Sequence, residues 1–133
     1  MTKSTPEPAL DRLFVYGTLR RGLRLHHHLK RLGAQFVANG QVQAELYDLG
    51  EFPGACGCTK PGRTVKGELY RLHKVENSLK VLDQIEGFSP RHPERGLFER
   101  GTAEVTSPNG QRRLAWIYWY RWSCPRSRVL RLP

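Results

Sequence analysis

The amino-acid sequence predicts an α+β domain: a small curled mixed sheet or barrel of about six to seven strands with two main helices. Three observations carry that prediction. Short segments that alternate apolar and polar residues recur along the chain and end at glycine, proline or asparagine. Two stretches repeat apolar residues at helical spacing. No internal repeat or linker divides the 133 residues, a length suited to one domain with its own core.

Leu13-Phe14-Val15-Tyr16 is a run of strand formers ended by Gly17, and reads as a buried first strand. Gly17-Thr18 makes a tight loop. Leu25, Leu29 and Leu32 then fall at i, i+4 and i+7, an amphipathic helix that stops at Gly33. A strand entering a glycine loop and then a helix exposes backbone N–H groups suited to a carboxylate, phosphate or oxyanion. Neither nucleotide-binding glycine motif is present. His26-His27-His28 lies inside the helix and points in three directions, which suits a solvated face with one inward histidine better than a metal cage.

Residues 34–49 alternate, with Asn39-Gly40 as a hairpin turn or a bulge, and Glu51-Phe52-Pro53-Gly54 reads as a turn. Residues 64–72 form another strand, with Val65 and Leu69 opposed to Lys66 and Glu68. Over residues 75–88, at about 100° per residue, Val75, Leu79 and Leu82 share one stripe. Glu76, Asn77, Lys80, Asp83 and Gln84 are assigned to the wet side. Glu86, four residues after Leu82, interrupts the apolar stripe just before the helix stop at Gly87. A carboxylate facing a core is costly unless paired or used. A helix ending one turn earlier makes it an ordinary exposed acid instead. A nine-residue loop, Phe88 to Gly96, follows. Residues 98–106 and 111–121 then pair as a hairpin about Ser107-Pro108-Asn109-Gly110. In the second of these strands Leu114, Trp116, Tyr118 and Tyr120 oppose Ala115, Ile117 and Trp119, so both faces are apolar and the strand is central.

The net charge of +10 favours solubility, polyanions or an anionic substrate. The basic residues are dispersed, and Trp116, Trp119 and Trp122 belong to a strand buried on both faces or its end. Both features argue against nucleic acid. Cys56, Cys58 and Cys124 form an odd set without framework spacing, which points to a reducing compartment, and without paired C-x-x-C spacing they argue against a metal site. No apolar run approaches a membrane span and no secretory pattern opens the sequence, so the expectation is a cytoplasmic protein with no membrane partner. Residues 1–12 read as a flexible tail, 13–122 as the domain and 123–133 as a basic tail.

Five stretches in order carry a resemblance. They are Phe14-Val15-Tyr16-Gly17-Thr18-Leu19-Arg20, then Tyr47-Asp48-Leu49-Gly50-Glu51-Phe52-Pro53-Gly54-Ala55, and Gly67-Glu68-Leu69-Tyr70. Leu82-Asp83-Gln84-Ile85-Glu86-Gly87-Phe88 and Ala115-Trp116-Ile117-Tyr118 complete the set. Over residues 13–122 the chain resembles the gamma-glutamylcyclotransferase superfamily, and within it the small bacterial, gamma-glutamylamine cyclotransferase-like branch. The resemblance implies a barrel-like α+β fold and a lactam-forming enzyme, of transferase or lyase type, that releases 5-oxoproline from a small gamma-glutamyl substrate. It implies no cofactor and no metal. Its acidic residue falls on Glu86, the catalytic candidate, with substrate expected against Tyr16, Gly17, Thr18, Leu19 and Tyr118. Arg20 is either a partner for a substrate carboxylate or a solvated helix-start residue. Relatives often carry Tyr-x-Arg after the acidic residue, where this chain reads Phe98-Glu99-Arg100. The lost phenol keeps open a binding module that holds a metabolite or a protein tail in the same pocket without turnover.

Overall fold

The computed structural model of the chain describes residues 10–16, 26–48, 53–57, 62–121 and 129–130. Among these the strands are β1 (Arg12–Val15), β2 (Gln35–Asp48), β3 (Pro53–Gly57), β4 (Thr64–Arg71), β5 (Phe98–Thr106), β6 (Arg112–Tyr120) and β7 (Val129–Leu130). The helices are α1 (His26–Arg31) and α2 (Val75–Glu86), with a 3-10 turn at Pro93–Arg95. No described helix is long and apolar enough to cross a membrane.

The strands β2, β4, β1, β6 and β5 pair in that order, and a β2–β5 contact at Gln41 and Thr106 closes them into a five-stranded barrel. The sheet is mixed because β1 and β6 run parallel through Leu13 and Trp116. At its far end β2 leaves the barrel, and Ala44–Asp48 pairs with β3 on one edge while Leu46 and Tyr47 pair with β7 on the other. The C-terminal segment therefore contributes a short strand, because Val129–Leu130 covers an edge of β2 that would otherwise expose unpaired backbone groups.

Residues 34–49 do not turn at Asn39-Gly40. Gln35–Asp48 runs as one strand whose register shifts earlier, between Phe36 and Ala38. Gly40 meets a different demand: a side-chain carbon there would lie 2.5 Å from Cγ1 of Val105, where β2 and β5 approach to close the barrel. Pro53-Gly54 likewise opens β3 and is not a turn, since Pro53 and Gly54 pair with Asp48 and Tyr47.

Alternation along the strands builds two cores. Phe14, Val42, Ala44, Val65, Leu69, Val105, Ala115 and Ile117 point into the barrel. Leu13, Val15, Tyr70, Phe98 and Tyr118 point outward and are covered by Leu29 of α1 and by Leu79 and Leu82 of α2. β6 lies between β1 and β5, which is why both of its faces are apolar. The Ser107–Gly110 turn closes as the sequence predicts, with the Gly110 N–H donating to the Ser107 carbonyl at 2.8 Å.

Candidate active site

The local sequence of α2 determines where Glu86 sits. Gly87 adopts a φ of 72°, a conformation that suits glycine. Its N–H donates to the Gln84 carbonyl at 3.2 Å, and the N–H of Phe88 donates to the Asp83 carbonyl at 2.8 Å. This pair of bonds is a Schellman cap, which ends the helix and holds Glu86 at its final position. The helix does not stop a turn early.

Burial pushes the Glu86 carboxyl up to about 7 from 4.5. Among the described residues no hydrogen bond or ion pair reaches that carboxylate. Its charge acts on two phenols, adding to the rise that burial causes in both Tyr16 and Tyr118. Tyr16 and Tyr118 thus lie within electrostatic reach of Glu86, at the junction of the two cores. Tyr16 belongs to the inner core and Tyr118 to the outer one.

Both phenol hydroxyls are already bonded. The Tyr16 hydroxyl accepts from the Ala55 N–H at 3.1 Å and donates to the Tyr118 carbonyl at 2.6 Å. It therefore ties β3 and the end of β1 to β6. The Tyr118 hydroxyl donates to Oδ1 of Asp83 at 2.7 Å. For Tyr118, burial comes first in raising its pKa, the Asp83 bond and charge add to it, and Arg100 opposes it.

Asp83 is not on the wet side of α2. It is 6% exposed and gripped by Arg100, whose Nε lies 2.8 Å from Oδ1 and whose Nη2 lies 3.3 Å from Oδ2. The guanidinium carbon in turn lies 4.6 Å from the Trp116 ring centre and 5.9 Å from that of Phe88. Helical spacing by itself does not separate the two acids. Asp83 is four residues after Leu79 just as Glu86 is four after Leu82, so the rule that marks one as inward marks the other. The arginine of Phe98-Glu99-Arg100 was the second signal, because a cation on the facing strand lets the buried acid be paired. Phe98 itself is buried and packs edge-on against Tyr120, with ring centres 6.2 Å apart.

The remaining predicted residues divide. Gly17, Thr18 and Leu19 lie outside the described residues, as do Arg20, Cys58 and Cys124. Cys56 is disulfide-bonded. Spacing along the chain does not reveal which cysteines the fold brings together. His27 and His28 stack at 4.0 Å on α1, and no group of metal-ligating side chains occurs among the described residues. A separate open groove of about 690 Å³ follows the barrel seam between Asn39, Gln41, Lys66 and Thr106, and no residue of α2 lines it.

Comparison with known proteins identifies the family and the fold. The family model described as gamma-glutamyl cyclotransferase, AIG2-like, matches residues 13–131. A protein of Niallia circulans named gamma-L-glutamyl-butirosin B gamma-glutamyl cyclotransferase is 32% identical over 90% of this chain and 76% of its own length. The crystal structure of an AIG2-like protein from Mus musculus superposes with a TM-score of 0.70 at 25% identity, over 87% of this chain and 80% of that one. YkqA from Bacillus subtilis matches in fold with a TM-score of 0.66 at 23% identity, over 87% of this chain, which spans only 38% of YkqA. By sequence and by fold, the chain belongs to the AIG2-like gamma-glutamyl cyclotransferase family.

Proposed function

We propose that the protein is an enzyme that releases 5-oxoproline from a gamma-glutamyl amine by internal aminolysis, with Glu86 as the single acid and base. The observation that carries this reading is a carboxyl at the capped end of α2, raised by burial to about 7 and left without a partner among the described residues. A group poised near neutrality can both take and return a proton at working pH.

In the reaction the substrate's α-amino nitrogen attacks its own γ-carbonyl carbon, forming a C–N bond and closing a five-membered lactam. The ionised Glu86 removes a proton from that nitrogen. The γ-amide C–N bond then breaks, and the same carboxyl returns the proton to the leaving amine. Backbone N–H groups of Gly17, Thr18 and Leu19 hold the substrate's α-carboxylate or the developing oxyanion, and Tyr16 and Tyr118 shape the pocket wall. The phenols act through their rings and position, since their hydroxyls are bonded to Tyr118 and Asp83. The Niallia relative is named for a gamma-glutamyl derivative of a large amine, which makes bulky leaving amines the first substrates to try.

The test incubates the protein with a panel of gamma-glutamyl amines and measures 5-oxoproline. Release by the native chain and its loss in Glu86→Gln are the expected result. Turnover that survives in Glu86→Gln refutes the mechanism, and binding without turnover across the panel leaves a binding module.

A further inference from the structure

Asp83 and Glu86 are three residues apart on α2, a spacing that puts two carboxyls on one face. Two carboxylates that share a poorly solvated site normally cannot both ionise, and their protons come off as a coupled pair. Here their surroundings are opposite. Asp83 receives two bonds from Arg100 and one from the Tyr118 hydroxyl, whereas Glu86 receives none among the described residues.

We propose that Arg100 is a positioning residue: its two-pronged hold on Asp83 cancels the charge of that carboxylate, so that Asp83 does not act on Glu86 three residues further along the same helix face. A guanidinium suits this task because it does not lose its proton and its fork matches a carboxylate. The Trp116 and Phe88 rings lie beside the guanidinium. Burial is the cause of the rise at Glu86.

The other charged or titratable groups are placed so as not to replace this pair. Tyr16 is held neutral by burial, which outweighs the opposing Ala55 bond, and Tyr118 by burial and its bond to Asp83. Arg91, His92, Glu94 and Arg95, in the loop after α2, are all exposed to solvent. The inference extends the catalytic reading of Glu86 and takes from it the importance of that carboxyl, but its test needs no substrate.

The experiment follows the carboxyl carbons of ¹³C-labelled glutamates by NMR across pH, with the Glu86 signal identified by its absence in Glu86→Gln. In Arg100→Gln the bare Asp83 charge should raise the Glu86 midpoint by about one pH unit, and in Asp83→Asn the bare Arg100 charge should lower it by about as much. The double variant should return close to the native midpoint, because the two charges are lost together. Arg100→Lys keeps the charge without the fork, so a partial rise is expected; this variant and Asp83→Asn carry the test if Arg100→Gln does not fold. A midpoint that stays put in the folded single variants, or a double variant that keeps the full displacement, overturns the proposal. A titration cycle that closes while 5-oxoproline is never formed upholds the charge pairing and removes only the catalytic role of Glu86.

Discussion

The barrel interior and the layer beneath the helices are built from opposite faces of the same strands, yet they hold different chemistry. Inside the barrel, Phe14, Val42, Val65, Leu69, Val105 and Ile117 pack on one another, and the one phenol of that cluster, Tyr16, sends its hydroxyl out to Ala55 and Tyr118. The outer layer packs Leu13, Val15, Leu79 and Leu82 just as tightly, but α2 and β5 also bring Asp83, Glu86 and Arg100 into it. The difference has a physical cause. A closed barrel of this size commits its backbone donors and acceptors to the strand ladders and offers a charge no solvent and no partner. Where a helix lies on a strand, side chains from two elements can meet and satisfy each other, and the helix end leaves one group without a partner among the described residues.

The largest effect should come from the outer layer. Glu86→Gln should lower 5-oxoproline release by about 10²–10⁴-fold, the usual contribution of a general acid–base group, with the fold retained by circular dichroism. Over the same range the native rate should rise with pH through about 7, where the carboxyl ionises. A conserved rate in that variant would move the chemistry elsewhere in the molecule.

Packing distinguishes the two cores next. Leu69 faces the barrel and Leu82 lies under α2, and both are fully buried. Leucine-to-alanine changes in cores cost about 2–5 kcal/mol, less where the surroundings can collapse. Leu69→Ala should fall at the upper end and Leu82→Ala at the lower, because a helix can settle onto a cavity and a hydrogen-bonded barrel cannot. Denaturant melts that reverse this order would show the helix layer to be the more rigid.

Glu86 should also cost stability. Its carboxyl sits at about 7 in the folded chain against 4.5 as an ordinary glutamate, so the folded state binds the proton more tightly. That stabilisation is complete below the unfolded value and is lost as pH rises through the folded one. Glu86→Gln should therefore match the native protein near pH 4 and exceed it near pH 8 by at most about 3 kcal/mol, as read from urea melts at the two pH values. Smallest, Tyr118→Phe should cost about 1–2 kcal/mol by removing one of the three bonds to Asp83. A value near zero would mean that Arg100 alone satisfies that carboxylate.

Much of this was legible in one dimension. A run of strand formers located β1, alternation located β2 and β4, and the turn at Ser107–Gly110 located β5 and β6. Gly87 marked the end of α2, and Glu86 stood out as an acid on an apolar stripe. Asn39-Gly40 was misread because a glycine that permits a turn and one that permits close approach of Val105 look the same in sequence. Pro53-Gly54 was misread for a related reason: turn composition does not exclude the first residues of an edge strand. Asp83 was sent to solvent because its compensating cation lies 17 residues away on β5.

The sequence by itself determined the fold class, the strands that line both cores and the carboxyl that ends α2, since all of these follow from local periodicity and from glycine's conformational range. Only the tertiary structure decided which acid is paired: Asp83 meets Arg100, and Glu86 meets no partner among the described residues. That outcome depends on the distance between Asp83 and Arg100 and on the water each group loses, and both quantities exist only once helix and barrel have packed.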